Sequence, residues 1–267
     1  MNAILKYPGG KWRIANWIIS HCPSHKVYLE PFFGSGAVFF NKQHVAIETV
    51  NDINGDIVNL FKIVRTESDE LARFIELTPF ARQEYEDCYI KSDDPLEQAR
   101  RTLVRYWQSF GTSNSSLRSW KNSQTANSPD NPGQWNKLPE IIRKICVELK
   151  YAQIENKPAM ELIHRYNSSE TFIYCDPPYP QGLRKRGMYK NEMSDDDHLK
   201  LLRELKKTKS MVILSGYDCE MYNDLLSDWG TDEKATTAQM GKRRTEKIWF
   251  NFPLQTVIEE QITERDI

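Results

Sequence analysis

No apolar run in the 267 residues approaches the ~20 needed to cross a membrane. The most apolar stretches, such as Pro31 to Phe40, are interrupted by glycine and serine, so no membrane-spanning helix is predicted. Cysteine is sparse and unpatterned. Cys22, Cys88, Cys146, Cys175 and Cys219 are odd in number and widely spaced, with no C-x-x-C pair, which speaks against a disulfide framework or a zinc site and predicts buried free thiols. Neither sign of charge dominates: 36 basic side chains face 37 acidic ones, for a net charge of −1. The chain as a whole therefore offers no strong field to a polyanion. Internal repeats are missing too, which excludes a solenoid. The first residues, MNAILKYPGGKW, contain neither an apolar signal-peptide core nor an A-x-A cleavage site, and predict a cytoplasmic protein.

What is present is ordinary globular material, 39% apolar and 27% charged. Its length fits one large domain, or one domain carrying a second as an insertion. Charge is uneven along the chain. Between Glu97 and Lys150 lie nine basic residues (Arg100, Arg101, Arg105, Arg118, Lys121, Lys137, Arg143, Lys144, Lys150) and four acidic ones, a local balance of +5. Arg184-Lys185-Arg186 and Lys242-Arg243-Arg244 form two further basic clusters. Each is either solvated surface or a contact for nucleic acid.

Short apolar segments that read as strands are Val27 to Leu29, Val45 to Val50, Tyr151 to Ile154, Thr171 to Cys175 and Met211 to Leu214. Most precede an amphipathic segment: after Asn54, Ile57, Leu60, Phe61 and Val64 fall at i, i+3, i+4 and i+7, and after Ser194 an acidic run leads into Leu199, Leu201, Leu202 and Leu205. This alternation predicts an α/β fold with a mostly parallel sheet covered on both faces. From about Thr66 to Lys150 the pattern changes to helices alone, Leu71 to Leu77, Arg82 to Ile90, Leu96 to Phe110 and Leu138 to Leu149, with a long polar loop over Gly111 to Asn136. A helical domain inserted into the α/β domain follows. The run Glu246 to Phe252 alternates, and predicts a final antiparallel strand paired with the segment near Thr231 to Met240.

Three segments carry chemistry. Glu30-Pro31-Phe32-Phe33-Gly34-Ser35-Gly36 joins a strand to a helix, where a glycine turn lets backbone approach a cofactor; its alternative role is a tight structural turn. About 20 residues on, Asn51-Asp52-Ile53-Asn54 ends the next strand, and Asp52 there either accepts from ribose hydroxyls or caps a helix. The glycines do not match G-x-G-x-x-G. Most specific is Asp176-Pro177-Pro178-Tyr179 at the end of a buried strand. Two prolines stiffen the turn and remove two donors, leaving a carboxylate, a free carbonyl and an aromatic face within four residues. That set fits a planar base bearing an exocyclic amine: Asp176 and the Pro177 carbonyl take its two N–H bonds and Tyr179 stacks on the ring.

With these residues the chain resembles the Dam-type N6-adenine DNA methyltransferases, which use S-adenosylmethionine. The resemblance covers roughly residues 4 to 65 and 150 to 252. Leu5-Lys6-Tyr7-Pro8-Gly9-Gly10-Lys11 is similar to the family's N-terminal cofactor motif, Glu30 to Gly36 to its F-x-G-x-G motif, Asn51-Asp52 to its ribose-binding acid, and Asp176 to Tyr179 to its catalytic D-P-P-Y. The order of the motifs matches this subgroup and not its circularly permuted relatives.

The resemblance implies a Rossmann-like catalytic domain from residues 1–65 and 150–267, and a helical target recognition domain over 66–149. It implies cofactor contacts from Tyr7, Lys11, Glu30, Phe32, Gly34, Gly36, Asp52 and Asp176, with an adenine-ring contact near Glu155-Asn156. It implies double-stranded DNA as partner, read by Arg118 and Trp120, with Lys121 and Lys137 on phosphates and Arg184 and Arg186 as further contacts. Trp107 and Trp135 are either DNA contacts or packing. The Asn-Val-Pro-Phe-Gly segment of the GATC-recognising members does not occur between Gly111 and Asn136. The implied reaction needs no metal. Asp176 is expected to be an anion at neutral pH unless burial raises its pKa strongly. Two other readings remain open at this point: methylation of RNA adenine or DNA cytosine N4, and a DNA-binding module without catalysis.

Overall fold

Five short apolar segments form the parallel part of one sheet: β1 (Val27–Glu30), β2 (Ile47–Asn51), β3 (Ala152–Glu155), β4 (Thr171–Cys175) and β5 (Met211–Gly216). Two longer strands, β6 (Gly230–Thr237) and β7 (Arg243–Phe250), add an antiparallel pair at one edge, giving the order β3-β2-β1-β4-β5-β7-β6. The computed structural model describes residues 2–110, 119–180, 191–237 and 243–254. Among them no helix is long and apolar enough to cross a membrane. The helices are α1 (Ala15–Ile19), α2 (Gly55–Thr66), α3 (Ser68–Leu77), α4 (Arg82–Asp87), α5 (Pro95–Gln108), α6 (Asn131–Trp135), α7 (Leu138–Leu149), α8 (Ala159–Arg165), α9 (Asp195–Lys207) and α10 (Glu220–Leu225).

Period-two alternation sends each strand's side chains into two separate cores. Tyr28, Phe172, Tyr174, Ile213, Ile248 and Phe250 face one way, and Leu29, Ile173, Cys175, Val212, Leu214 and Trp249 the other. The first core continues through α2 into the helices between residues 66 and 149, where Leu103, Trp107, Trp135, Leu138 and Ile142 are buried. The second is closed by Leu201, Leu202 and Leu205 of α9. That helix starts with a capping box in which Ser194 and Asp197 satisfy each other's backbone donors.

Several details differ from the sequence expectations for physical reasons. The long helix predicted to reach Phe110 stops at Gln108, because Ser109 turns extended and pairs across an isolated bridge with Trp120. Inside the expected loop, Asp130 accepts from the Gly133 N–H and a proline sits in the first turn, so five residues form α6. Trp107 and Trp135 are core residues whose indole N–H groups donate to the carbonyls of Ile4 and Thr78. The thiols are free, with Cys88, Cys146 and Cys175 buried and Cys22 and Cys219 half-buried. Finally, three arginines of the basic window pair with acids it did not include: Arg100 with Glu84 as well as Glu97, Arg105 with Asp56, and Arg143 with Asp69 and Glu76.

Candidate active site

β1 pairs with β2 on one side and with β4 on the other, so the chain winds away from this point in both directions. A crevice opens at such a switch between the carboxyl ends of the strands. Here it is a cleft of about 390 Å³, walled by the N-terminal segment, the loops after β1, β2 and β4, and the start of α9. Of the residues singled out in the sequence it gathers Tyr7, Lys11, Glu30, Phe32, Gly34, Asp52, Asp176 and Pro178.

The turn after β1 is locked to the end of β2. The Gly34 N–H donates to Asp52 Oδ2 at 2.8 Å and the Asn54 N–H to Oδ1 at 2.8 Å. Burial raises the Asp52 carboxyl to about 6, against the pull of these two bonds. Gly34 holds φ +49° with the Tyr7 ring 3.1 Å from where a Cβ would stand. Gly36 has a packing role: at φ +67°, a Cβ would come within 2.5 Å of the Phe40 ring, and the residue lies beside the cleft rather than in its wall. Asn156 donates its Nδ2 to the Asp52 carbonyl at 2.7 Å, which puts the segment after β3 next to the acid.

Glu30 is 2% exposed and accepts the Tyr28 hydroxyl at 2.7 Å. Its carboxyl is raised to about 8, chiefly by burial and further by Asp176 nearby. A folded pKa above the unfolded one means that protonation favours the fold. This stability is complete below the ordinary carboxyl range and disappears as pH rises through about 8. Glu30→Gln keeps the acceptor for Tyr28 without the charge. It is expected to match the parent's melting temperature at pH 4, to exceed it modestly at pH 6 and to exceed it most at pH 9; a variant that loses stability equally at pH 4 and pH 9 would contradict this account.

At the end of β4 the acids converge on one ammonium. Lys11 Nζ lies 2.9 Å from Asp176 Oδ2 and 3.4 Å from Glu246 Oε1, and donates to the Gly9 carbonyl at 2.7 Å. Burial pushes the Asp176 carboxyl up while Lys11 opposes it; Glu246 is raised for the same reason, with Asp176 adding to the effect. Tyr179 is buried rather than open to the cleft. Its hydroxyl donates to Glu246, its ring meets Tyr217 edge-on at 4.5 Å, and Lys11 Nζ stands 4.8 Å above its face. Pro177 and Tyr179 are not among the residues that line the cleft.

Glu246 escaped the sequence reading. The signal was its phase: it shares the inward face of β7 with Ile248 and Phe250, a buried position that an acid does not occupy without a partner.

On the outer surface, Trp120 packs on Phe80 and donates its indole N–H to Gln108, with Arg82 5.1 Å over its ring. Lys121 stands beside Lys6, and burial together with that neighbour lowers the Lys6 ammonium to about 8. Lys137 is exposed at the start of α7, and Phe110, 64% exposed, is the aromatic next to the Ser109–Trp120 bridge. Arg118, Arg184 and Arg186 lie outside the described residues.

The family model of the D12 class N6 adenine-specific DNA methyltransferases matches residues 7–241, which includes every residue lining this cleft and leaves out Glu246. The chain belongs to this family. As an adenine-specific DNA methyltransferase it is 26% identical over 254 residues to the Type II methyltransferase M.MjaIII of Methanocaldococcus jannaschii, covering 83% of this chain and 86% of that one. To the DNA adenine methylase of Haemophilus influenzae it is 28% identical over 245 residues, 82% of each chain. Among solved structures, the putative methyltransferase yhhF from Escherichia coli shares 10% identity and superposes with a TM-score of 0.38 over 91% of this chain and 83% of that one.

Proposed function

We propose that this methyltransferase takes S-adenosylmethionine as its methyl donor and acts on the N6 amine of an adenine flipped out of duplex DNA. The observation that carries the reading is the meeting of Asp176, Lys11 and Asp52 in one cleft at the switch point of the sheet. The cleft suits the donor. Asp52 presents carboxylate lone pairs beyond the two backbone bonds it accepts. Asp176 favours a cationic group, and Tyr7, Phe32 and the glycine turn supply apolar and backbone walls. When bound, S-adenosylmethionine supplies an electrophilic methyl on a sulfonium.

On the adenine side, the amine is a poor nucleophile because its lone pair is delocalised into the ring. Asp176 and the Pro177 carbonyl accept its two N–H bonds, favour a pyramidal nitrogen and stabilise the positive charge that develops on it. The carboxylate must be ionised to do this, and Lys11 opposes the burial that raises its pKa. Lys11 also occupies an Asp176 oxygen and stands over the Tyr179 face, two of the three groups assigned to the base. An entering adenine therefore shares or displaces this ammonium, which keeps the Gly9 carbonyl and Glu246 as partners.

The helices of 66–149 serve as the target recognition domain on the catalytic domain of 1–65 and 150–267. Arg118 and Trp120 read or wedge bases, Phe110 adds an exposed aromatic next to the Ser109–Trp120 bridge, and Arg184 and Arg186 are further DNA contacts. Crowding of Lys6 and Lys121 is relieved by a phosphate, and Lys137 takes another. Lys121→Ala and Lys137→Ala are each expected to weaken binding to every duplex and to reduce the slope of log affinity against log salt by about one unit; unchanged slopes would remove both from the interface. A DNA substrate places the enzyme in the cytoplasm. The polymer is tested by incubating enzyme and tritiated S-adenosylmethionine with unmethylated duplex DNA, its heat-denatured strands and an RNA transcript of it. Label is expected in the duplex, and preferential label in RNA would overturn the reading.

A further inference from the structure

We propose that Glu246 is a positioning residue of methyl transfer, holding Lys11 and Tyr179 in register with Asp176; this rests on the reading of the cleft given above. Glu246 comes from β7, far in sequence from the catalytic loop, yet it is 5% exposed and its Oε1 takes both the Tyr179 hydroxyl and, at 3.4 Å, the Lys11 ammonium. A buried carboxylate with two polar partners at one site does more than fill space. Lys11 has Gly9, Asp176 and Glu246 as acceptors for its three N–H bonds. Two carboxylates thus share one ammonium. Glu246 draws Lys11 away from Asp176 and leaves the Asp176 oxygens stronger acceptors for the target amine. It also gives the ammonium a second acceptor to keep when adenine arrives. Through the Tyr179 hydroxyl it fixes the ring, which Tyr217 meets edge-on at 4.5 Å with Arg244 4.9 Å over the Tyr217 face.

Glu246→Gln tests this, since the amide oxygen still accepts from Tyr179 and the side chain keeps its size while its charge is lost. Lys11 then loses the negative charge of Glu246 and keeps that of Asp176. Besides Lys11, the groups coupled to Asp176 and Glu246 are Glu30, Tyr174, Cys175 and Tyr222 through charge and Tyr179 through its hydrogen bond. None of these is altered by the substitution. The expected results are a kcat roughly ten- to a hundredfold lower, an unchanged KM for S-adenosylmethionine, and an acid limb of the pH–rate profile moved to lower pH, because Asp176 loses a like-charged neighbour and gains the whole of Lys11. Tyr179→Phe leaves the charges in place and removes only a hydroxyl that holds the two carboxyls down, so its acid limb should not move to lower pH. Glu246→Asp should recover part of the lost rate. Parental kcat and acid limb in Glu246→Gln, or the same shift in Tyr179→Phe, would overturn the proposal. Failure of the parent itself to methylate adenine would instead overturn the reading of the cleft.

Discussion

Asp176→Asn is expected to lower methyl transfer by about 10³-fold, the upper range for removing one preorganised group that stabilises developing charge. The substitution preserves the size of the side chain at the end of β4. It replaces one acceptor oxygen by a donor and takes away the charge. Lys11 keeps the Gly9 carbonyl and Glu246, so the ammonium is not left buried without partners and the fold should survive. Binding of DNA should stay within a few fold, because phosphate contacts supply most of it. A variant that retains a tenth of the parental rate would show that Asp176 is not the acceptor.

The second large effect is at Asp52. Its two oxygens each accept a backbone N–H, from Gly34 and from Asn54, and still present lone pairs to the cleft. Asp52→Ala removes the proposed acceptors for the ribose and unpins the glycine turn together. A loss of roughly ten- to a hundredfold in affinity for S-adenosylmethionine follows, from hydrogen bonds to a charged group worth ~1.5–3 kcal/mol. Asp52→Asn is no mild alternative, since its amide must point a donor at one of two backbone donors. The raised carboxyl gives a second handle. In the parent, affinity should fall as pH drops through about 6, where Asp52 gains a proton and stops being an anionic acceptor. Calorimetric titration across pH 5 to 8 measures both, and parental affinity in Asp52→Ala would end the ribose assignment.

Much of this was legible in the sequence because local chemistry and global fold agree. Strand β4 was readable to the residue, since five consecutive buried side chains run into a double proline that must end the ladder. The helix after Asn54 announced itself by its cap and its apolar period. The sheet's order was visible only as a class, because pairing is decided by long-range packing. The shared core was not readable either: helical period tells which face of α5 or α7 is buried, not that the partner is α2 and the sheet beneath it. Charge counting along the window misled for a related reason, as Asp56, Asp69, Glu76 and Glu84 neutralise arginines distant in sequence. Glu246 was missed because its meaning depends on the loop it meets. In Glu246 to Phe252 it is one acid in an alternating strand; beside Lys11 and Tyr179 it becomes part of the site.

The measurement that bears most directly on the whole account is the identity of the methylated nucleoside. Parent enzyme and Asp176→Asn are incubated with unmethylated duplex DNA and S-adenosylmethionine carrying a deuterated methyl group, and the digested DNA is resolved by mass spectrometry. The account predicts N6-methyldeoxyadenosine with the three deuterons from the parent, and at least about a hundredfold less from Asp176→Asn. Label on N4 of cytosine, or equal label from both enzymes, would contradict it.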